Sequence, residues 1–157
     1  MVLNMSSRQK AMKMWVYKGE EWAPSKEELE LYIGFVYIIT NVDNGKKYIG
    51  KKILWSKRRL PPLKGKKRKR IKISESDWMK YYGSSEDIKA LVESSGCESF
   101  HREILHLCAT KGEMSYLEMR EQIIRDVLLK PDEYYNGFVG GKIHRNHVKN
   151  LSANDMK

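Results

Sequence analysis

From Lys51 to Lys72 the chain places twelve Lys or Arg residues and no Asp or Glu. The whole chain carries +10, so removing that segment leaves 18 basic against 20 acidic residues, a remainder of −2. One concentrated cationic segment on a nearly neutral globule attracts a polyanion and gains by releasing its condensed counterions, without reading sequence. Taken alone, the same run also reads as a localisation-type segment or a solvated loop. Cutting a nucleic acid would ask for more. A phosphodiester hydrolase needs a base or an oriented water, a metal, a cation to stabilise the pentacovalent charge, and a grip on the flanking phosphates. Tyrosines, arginines and helix carboxylates offer candidates for each.

The elements that must position them follow from pattern. Residues 1–24 read as a loosely ordered arm, partly pinned by Trp15, Tyr17 and Trp22 because exposed aromatics are costly. Ser25-Lys26-Glu27-Glu28 reads as a capping box opening a short helix to about Tyr32, so that 1–32 form an arm and helix. Gly34 to Asn41 is a strand rich in β-branched and aromatic residues, with Phe35, Tyr37 and Ile39 on one face and Val36 and Ile38 on the other. Asp43-Asn44-Gly45 signals a hairpin, and Lys46 to Lys51 is the returning strand. A two-residue loop there makes opposed residues sum to an odd number, which puts Tyr37 and Tyr48 on the same sheet face. Leu60-Pro61-Pro62 breaks any helix, and the basic run follows as a long loop. Ser84 or Ser85 caps a helix through Val92 that ends near Gly96. Phe100 to Cys108 is a third strand. Thr110-Lys111-Gly112-Glu113 is a second capping box, opening a helix that stops before Pro131. Asn136-Gly137 and Gly140-Gly141 mark loops, and a polar tail over 149–157 is expected to fray. The expected fold is α+β: a central three-stranded antiparallel sheet flanked by helices, with a long basic loop.

Phe35-Val36-Tyr37, followed eleven residues after Tyr37 by Tyr48-Ile49-Gly50, resembles the two-part signature of the GIY-YIG nucleases. Phe35-Val36 stands in place of Gly-Ile, with Gly34 just before. Arg58, ten residues past Tyr48, falls where that family places its catalytic arginine, and Glu118 and Asn136 fill the places of its helix glutamate and closing asparagine. Trp55-Ser56-Lys57-Arg58, Pro61 to Arg70, Glu75-Ser76-Asp77-Trp78 and Tyr81-Tyr82-Gly83-Ser84-Ser85 further resemble phage-encoded Seg-type endonucleases of this superfamily. The resemblance implies a nuclease domain over about 33–148 with catalytic Tyr37, Tyr48, Arg58 and Glu118. Glu118 would bind one Mg²⁺ or Mn²⁺, a hard cation suited to carboxylate oxygen. Arg58 would fork onto the scissile phosphate. Tyr37 would act as general base, with Tyr48 orienting the water or phosphate. A free tyrosine titrates near 10, so half-ionisation at pH 7 asks for about 4 kcal/mol of bias from cations such as Lys51, Lys52 and Arg58. Without that bias Tyr37 positions the attacking water instead. Lys51, Lys52, Lys57, Arg59, Lys64, Lys66, Lys67, Arg68, Lys69 and Arg70 would grip the DNA. Gly50 and Asn136 would be structural, Asn136 holding a loop by bonding backbone.

Each reading has a competitor. Tyrosine in a strand is ordinary packing, an exposed helix glutamate is usually solvated, and Arg58 is one cation among twelve. Glu121 rivals Glu118 as metal ligand: it falls within the apolar stripe of Met114, Leu117, Ile124 and Leu128 and lies fifteen residues before Asn136, a spacing some family members use. Ser115-Tyr116-Leu117-Glu118 with Gln122 favours Glu118. His144-Arg145-Asn146-His147 is too compact for an HNH nuclease unit, and the four histidines and two cysteines do not match zinc-ligand spacing.

Two classes remain: an endonuclease on double-stranded DNA, and a noncatalytic binder stacking bases on Trp55, Trp78, Tyr81 and Tyr82. Only about twenty residues follow Asn136, so site specificity is expected to be low, or supplied by a homo-oligomer, the basic loop or a partner. No stretch approaches the ~18 apolar residues of a membrane span. Met1 to Lys13 lacks an apolar signal core, and Cys97 and Cys108 read as reduced thiols, so the expected compartment is cytoplasmic, that of the host cell if phage-encoded.

Overall fold

The structure is a computed structural model describing residues 13–156. The first twelve residues of the expected arm lie outside the described residues. The strands are β1 (Val16–Tyr17), β2 (Glu20–Glu21), β3 (Gly34–Asn41), β4 (Lys47–Ile53), β5 (Trp55–Leu60), β6 (Arg70–Glu75) and β7 (Phe100–Cys108). The helices are α1 (Lys26–Glu30), α2 (Glu86–Ser95) and α3 (Lys111–Ile124), with short 3-10 turns at Trp78–Lys80 and after α3. No described helix is long and apolar enough to cross a membrane.

The sheet differs from the expected three-stranded antiparallel one. Its centre is the antiparallel set β7-β3-β4, but the whole is five-stranded and mixed, in the order β2-β1-β7-β3-β4. β1 runs parallel to β7, pairing Val16 with Glu103 and Tyr17 with Ile104. Side chains rather than strand pattern fix this N-terminal ribbon. Trp15 and Trp22 are both buried, and the Trp15 indole donates to the carbonyl of Trp78 at 2.7 Å. Two residues per strand are too few to display alternation.

β3 is buried on both faces, and its alternation sorts the core. Phe35, Tyr37 and Ile39 pack with Trp15, Trp22, Trp78, Ile88 and Phe100 on one side. Val36 and Ile38 pack with Ile49, Cys108, Met114 and Leu117 on the other, beneath α3. The loop between β3 and β4 is longer than the expected two residues. Asn41 N–H donates to the Lys46 carbonyl at 2.8 Å, leaving a four-residue loop from Val42 to a left-handed Gly45 (φ 74°). An even loop keeps the parity: Tyr37 opposes Gly50 and Ile39 opposes Tyr48.

The basic run is not a long loop. Its two flanks form a separate antiparallel ribbon, β5-β6, with Arg58 opposite Lys72 and Leu60 opposite Arg70. Only residues 61–69 form the connecting tip. Charge repulsion along the run is offset by solvent: every residue of β6 is exposed.

Two of the three expected N-caps make their side-chain bond, while Ser85 stands at the N-cap of α2 without one. Ser25 Oγ accepts from Glu28 N–H at 3.1 Å, and Thr110 Oγ1 accepts from Glu113 N–H at 3.2 Å. α3 ends at Ile124, before a left-handed Asp126 (φ 53°). Ile124 and Leu128 are consequently exposed, and the buried row of α3 is Met114, Leu117 and Glu121.

Candidate active site

β4 is the edge strand of the sheet, and the site is built around that edge. An edge strand leaves backbone groups unpaired, which costs free energy unless something bonds them. Here side chains do so at Ile49. Asn136 Oδ1 accepts from Ile49 N–H at 3.0 Å, and Asn136 Nδ2 donates to the Ile49 carbonyl at 2.7 Å. Gln122 Nε2 donates to the same carbonyl at 3.1 Å. Asn136 is buried and acts as a one-residue strand mimic. Residues flanking it extend the cover: Lys47 N–H donates to the Glu133 carbonyl, and Tyr135 N–H to the Lys47 carbonyl.

A cavity of about 350 Å³ opens at this edge, lined by Tyr48, Glu86, Asp87, Glu118, Gln122 and Asn136 among others. Tyr48 reaches it from the upper face of the sheet and Glu118 from α3 below. Tyr48 hydroxyl pairs with Ser84 Oγ at 2.7 Å. Behind it lies Tyr37, with ring centroids 6.3 Å apart. The Tyr37 hydroxyl is buried with no hydrogen-bond partner. Burial pushes its pKa well above the ordinary tyrosine value, and the neighbouring phenol hydroxyls of Tyr81 and Tyr48 and the Glu118 carboxyl add to the rise. Burial also raises Tyr48, with the Ser84 hydrogen bond pulling back. Both hydroxyls are therefore held protonated.

Glu118 is half-buried, and burial raises its pKa against the pull of Lys51. Lys51 Nζ lies 3.7 Å from Glu118 Oε1 and donates to Ser115 Oγ at 2.9 Å. Lys51, expected in the DNA grip, thus stands as the countercharge of Glu118. Its parity with Ile49 carries that signal, since both face α3. Lys52 points the other way, to Asp77 at 2.6 Å and over the Tyr81 ring at 4.1 Å. Glu121, the rival carboxylate, is taken up elsewhere. His106 Nε2 meets its Oε1 at 2.6 Å, and Arg125 Nη1 binds its Oε2. Glu118 is the carboxylate of α3 that reaches the cavity.

Arg58 is exposed at the middle of β5 and does not line the cavity. Lys57, Arg59 and Arg70 share the ribbon with it, while Lys64, Lys66, Lys67, Arg68 and Lys69 sit in the exposed tip. The aromatics proposed for base stacking are occupied. Trp78 is buried, and Trp55, Tyr81 and Tyr82 pack partly against the same core. Trp55 also donates its indole N–H to the Tyr32 carbonyl at 3.1 Å. Gln122 and Ser84 were not picked out from sequence as part of the site. Gln122 falls one turn beyond Glu118, the spacing that puts both on one helix face.

No curated protein and no solved structure matches this chain. The model of one family, described as "putative endonuclease segE, GIY-YIG domain", matches residues 15–139. That span runs from β1 through the ribbon and α3 to the loop beyond Asn136, and on it the chain belongs to the SegE-type GIY-YIG endonuclease family.

Proposed function

We propose that the protein hydrolyses phosphodiester bonds of double-stranded DNA with Mg²⁺ or Mn²⁺ held at Glu118. One observation carries this reading: a half-buried carboxylate of raised pKa, shared between a cavity and a lysine, beside two protonated tyrosines. A purely structural carboxylate would be better served by a full ion pair, as Glu121 is.

The residues present fit a hard cation of the Mg²⁺ type. Such an ion keeps several waters and takes one or two carboxylates plus substrate phosphate oxygens, rather than an all-protein cage. Among the described residues no group of three or more His, Cys, Asp or Glu forms such a cage. When bound, the ion would supply Lewis-acid stabilisation of charge on the phosphate. Lys51, held by Ser115 Oγ at 2.9 Å, would neutralise Glu118 until a cation is bound. Arg58, carried in on the ribbon, would fork onto the scissile phosphate and stabilise its developing charge. Tyr48 orients the attacking water from the cavity wall. Of the two roles open to Tyr37, the burial and raised pKa of its hydroxyl support positioning: it donates a hydrogen bond once substrate arrives and does not take a proton.

The noncatalytic alternative is left with Trp55, Tyr81 and Tyr82 only partly exposed, and Trp78 is buried. Nicking of a supercoiled plasmid in Mg²⁺, absent in EDTA and absent in Glu118→Ala, is the expected result. A Glu118→Ala protein that binds and nicks as before would end the proposal.

A further inference from the structure

The ribbon β5-β6 has two unlike faces. Strand alternation and the observed register put Trp55, Lys57, Arg59, Ile71, Ile73 and Glu75 on one, and Ser56, Arg58, Leu60, Arg70, Lys72 and Ser74 on the other. The first face meets the body at its root. There Trp55, Lys57 and Ile73 border a shallow cleft with Glu30 and Ile33. The second face carries three cations and two hydroxyls and no carboxylate.

The root of the ribbon is fixed on both strands. Ser76 N–H donates to the Leu54 carbonyl at 2.8 Å, and Ser76 Oγ donates to the Ile53 carbonyl at 2.6 Å. Trp78 Nε1 donates to Glu75 Oε1 at 2.7 Å. Lys52 and Asp77 close the same corner. A paired ribbon on a fixed root presents its side chains in constant order, which a flexible loop does not.

We infer that the ribbon enters the DNA major groove on this second face, with Ser56, Arg70, Lys72 and Ser74 reading base edges within a few base pairs of the cut and Arg58 left to the backbone. Two paired strands about 4.8 Å apart, with their side chains, match a groove about 12 Å wide that admits a two-stranded β-ribbon. Six residues per strand give a reach of roughly 20 Å. Arg70 and Lys72 then face the acceptor pair of guanine, O6 and N7, the commonest specific contact of basic side chains. The deep, narrow major groove of duplex RNA would not admit the ribbon.

The position of the cut comes from the proposed nuclease reading, in which Arg58 meets the scissile phosphate. Lys72 stands opposite Arg58, about 5 Å away between Cα atoms. Arg70 lies two residues along, about 7 Å further. At 3.4 Å per base pair the bases read fall within about three base pairs of the scissile bond. The preference is short, a few base pairs at most, because the reading face is only four side chains long.

The test is selection of a randomised duplex DNA pool by the full chain in EDTA, with sequencing of the bound fraction, followed by mapping of cuts in Mg²⁺. Enrichment of particular bases over a short window is expected, with cuts at a fixed offset inside or beside it. Arg70→Ala with Lys72→Ala should reduce that enrichment about tenfold. Both side chains are exposed, and the pair of substitutions gives up one surface hydrogen bond, from Arg70 Nε to the Pro61 carbonyl at 3.3 Å. Replacing Lys66, Lys67, Arg68 and Lys69 with Gln should weaken binding but keep the enrichment. The inference is overturned by no enrichment, by enrichment that survives the Arg70/Lys72 pair of substitutions, or by duplex RNA competing as well as DNA. Enrichment without cutting in any metal would sink the nuclease proposal and leave the groove reading standing.

Discussion

Tyr37 stands directly opposite Gly50 across the β3-β4 pair, and its phenol fills the space that a side chain at position 50 would occupy. A Cβ built on Gly50 would meet the Tyr37 Cζ at 2.7 Å. The glycine of the second signature half is thus a consequence of the tyrosine of the first. Gly50→Ala should cost about 1–3 kcal/mol of stability, the scale of an overpacked core. In a double-mutant cycle with Tyr37→Ala the cost should shrink, since the obstructing ring is gone. Additive losses measured by urea unfolding would mean that Gly50 is needed for some other reason.

Tyr37→Phe separates chemistry from packing. The hydroxyl has no partner in the substrate-free protein, and a buried unsatisfied hydroxyl costs about 1–3 kcal/mol. Phenylalanine should therefore leave stability unchanged or raise it. Cleavage should slow, but by less than the roughly 100- to 10,000-fold typical of a lost general acid or base. A larger loss in single-turnover cleavage would return Tyr37 to the role of base.

Glu118→Gln and Glu121→Gln should behave oppositely. Folding raises the pKa of Glu118, chiefly through burial. Its ionisation therefore costs stability above the raised value and nothing below the ordinary glutamate value of about 4.3. Glu118→Gln should stabilise the protein at neutral pH, and the gain should fade as pH falls through that window. Metal-dependent cutting should disappear. Glu121→Gln breaks the contacts to His106 and Arg125 and should lose about 1–3 kcal/mol. Thermal melts across pH 3–8 compare the two; a destabilised Glu118→Gln at neutral pH would contradict the sign.

Arg58→Ala should abolish cutting while binding stays nearly intact, because one cation among twelve contributes little to the phosphate grip. Neutralising Lys66, Lys67, Arg68 and Lys69 should do the reverse. Each lost phosphate contact removes about 0.9 from the slope of log affinity against log salt, so four should flatten it by roughly 3 to 4. A salt titration with an unchanged slope would place the DNA path away from the tip.

The two central strands were legible in the sequence to the residue: Gly34–Asn41, buried on both faces, and Phe100–Cys108, buried mainly on one, have the expected ends. So was the shared face of Tyr37 and Tyr48, because parity survives any even loop. The ribbon was hidden by its own charge. Arg70-Ile71-Lys72-Ile73 alternates with period two, but the surrounding lysines read as a solvated loop. β1 and β2 gave no signal because a two-residue strand has no period. Glu118 and Glu121 sit on adjacent helix faces, and their separation depends on His106, brought in by β7. Only the tertiary fold contains that information.

Arg102 lies between the rings of Trp15 and Tyr82, at 4.7 and 4.2 Å. It donates to the carbonyls of Met79 and Tyr81 at 2.9 Å and also to that of Lys13. This clamp ties the beginning of the described chain to a strand 89 residues further on. Pairing of such distant segments is slow, because loop closure must precede any reward. During synthesis Trp15 therefore waits for β7 to emerge before it can dock. The Trp15 ring is also a wall of the Tyr37 pocket, 5.3 Å between centroids. A chain still lacking β7 leaves the Tyr37 pocket without that wall, so the candidate site is completed only once β7 has been made.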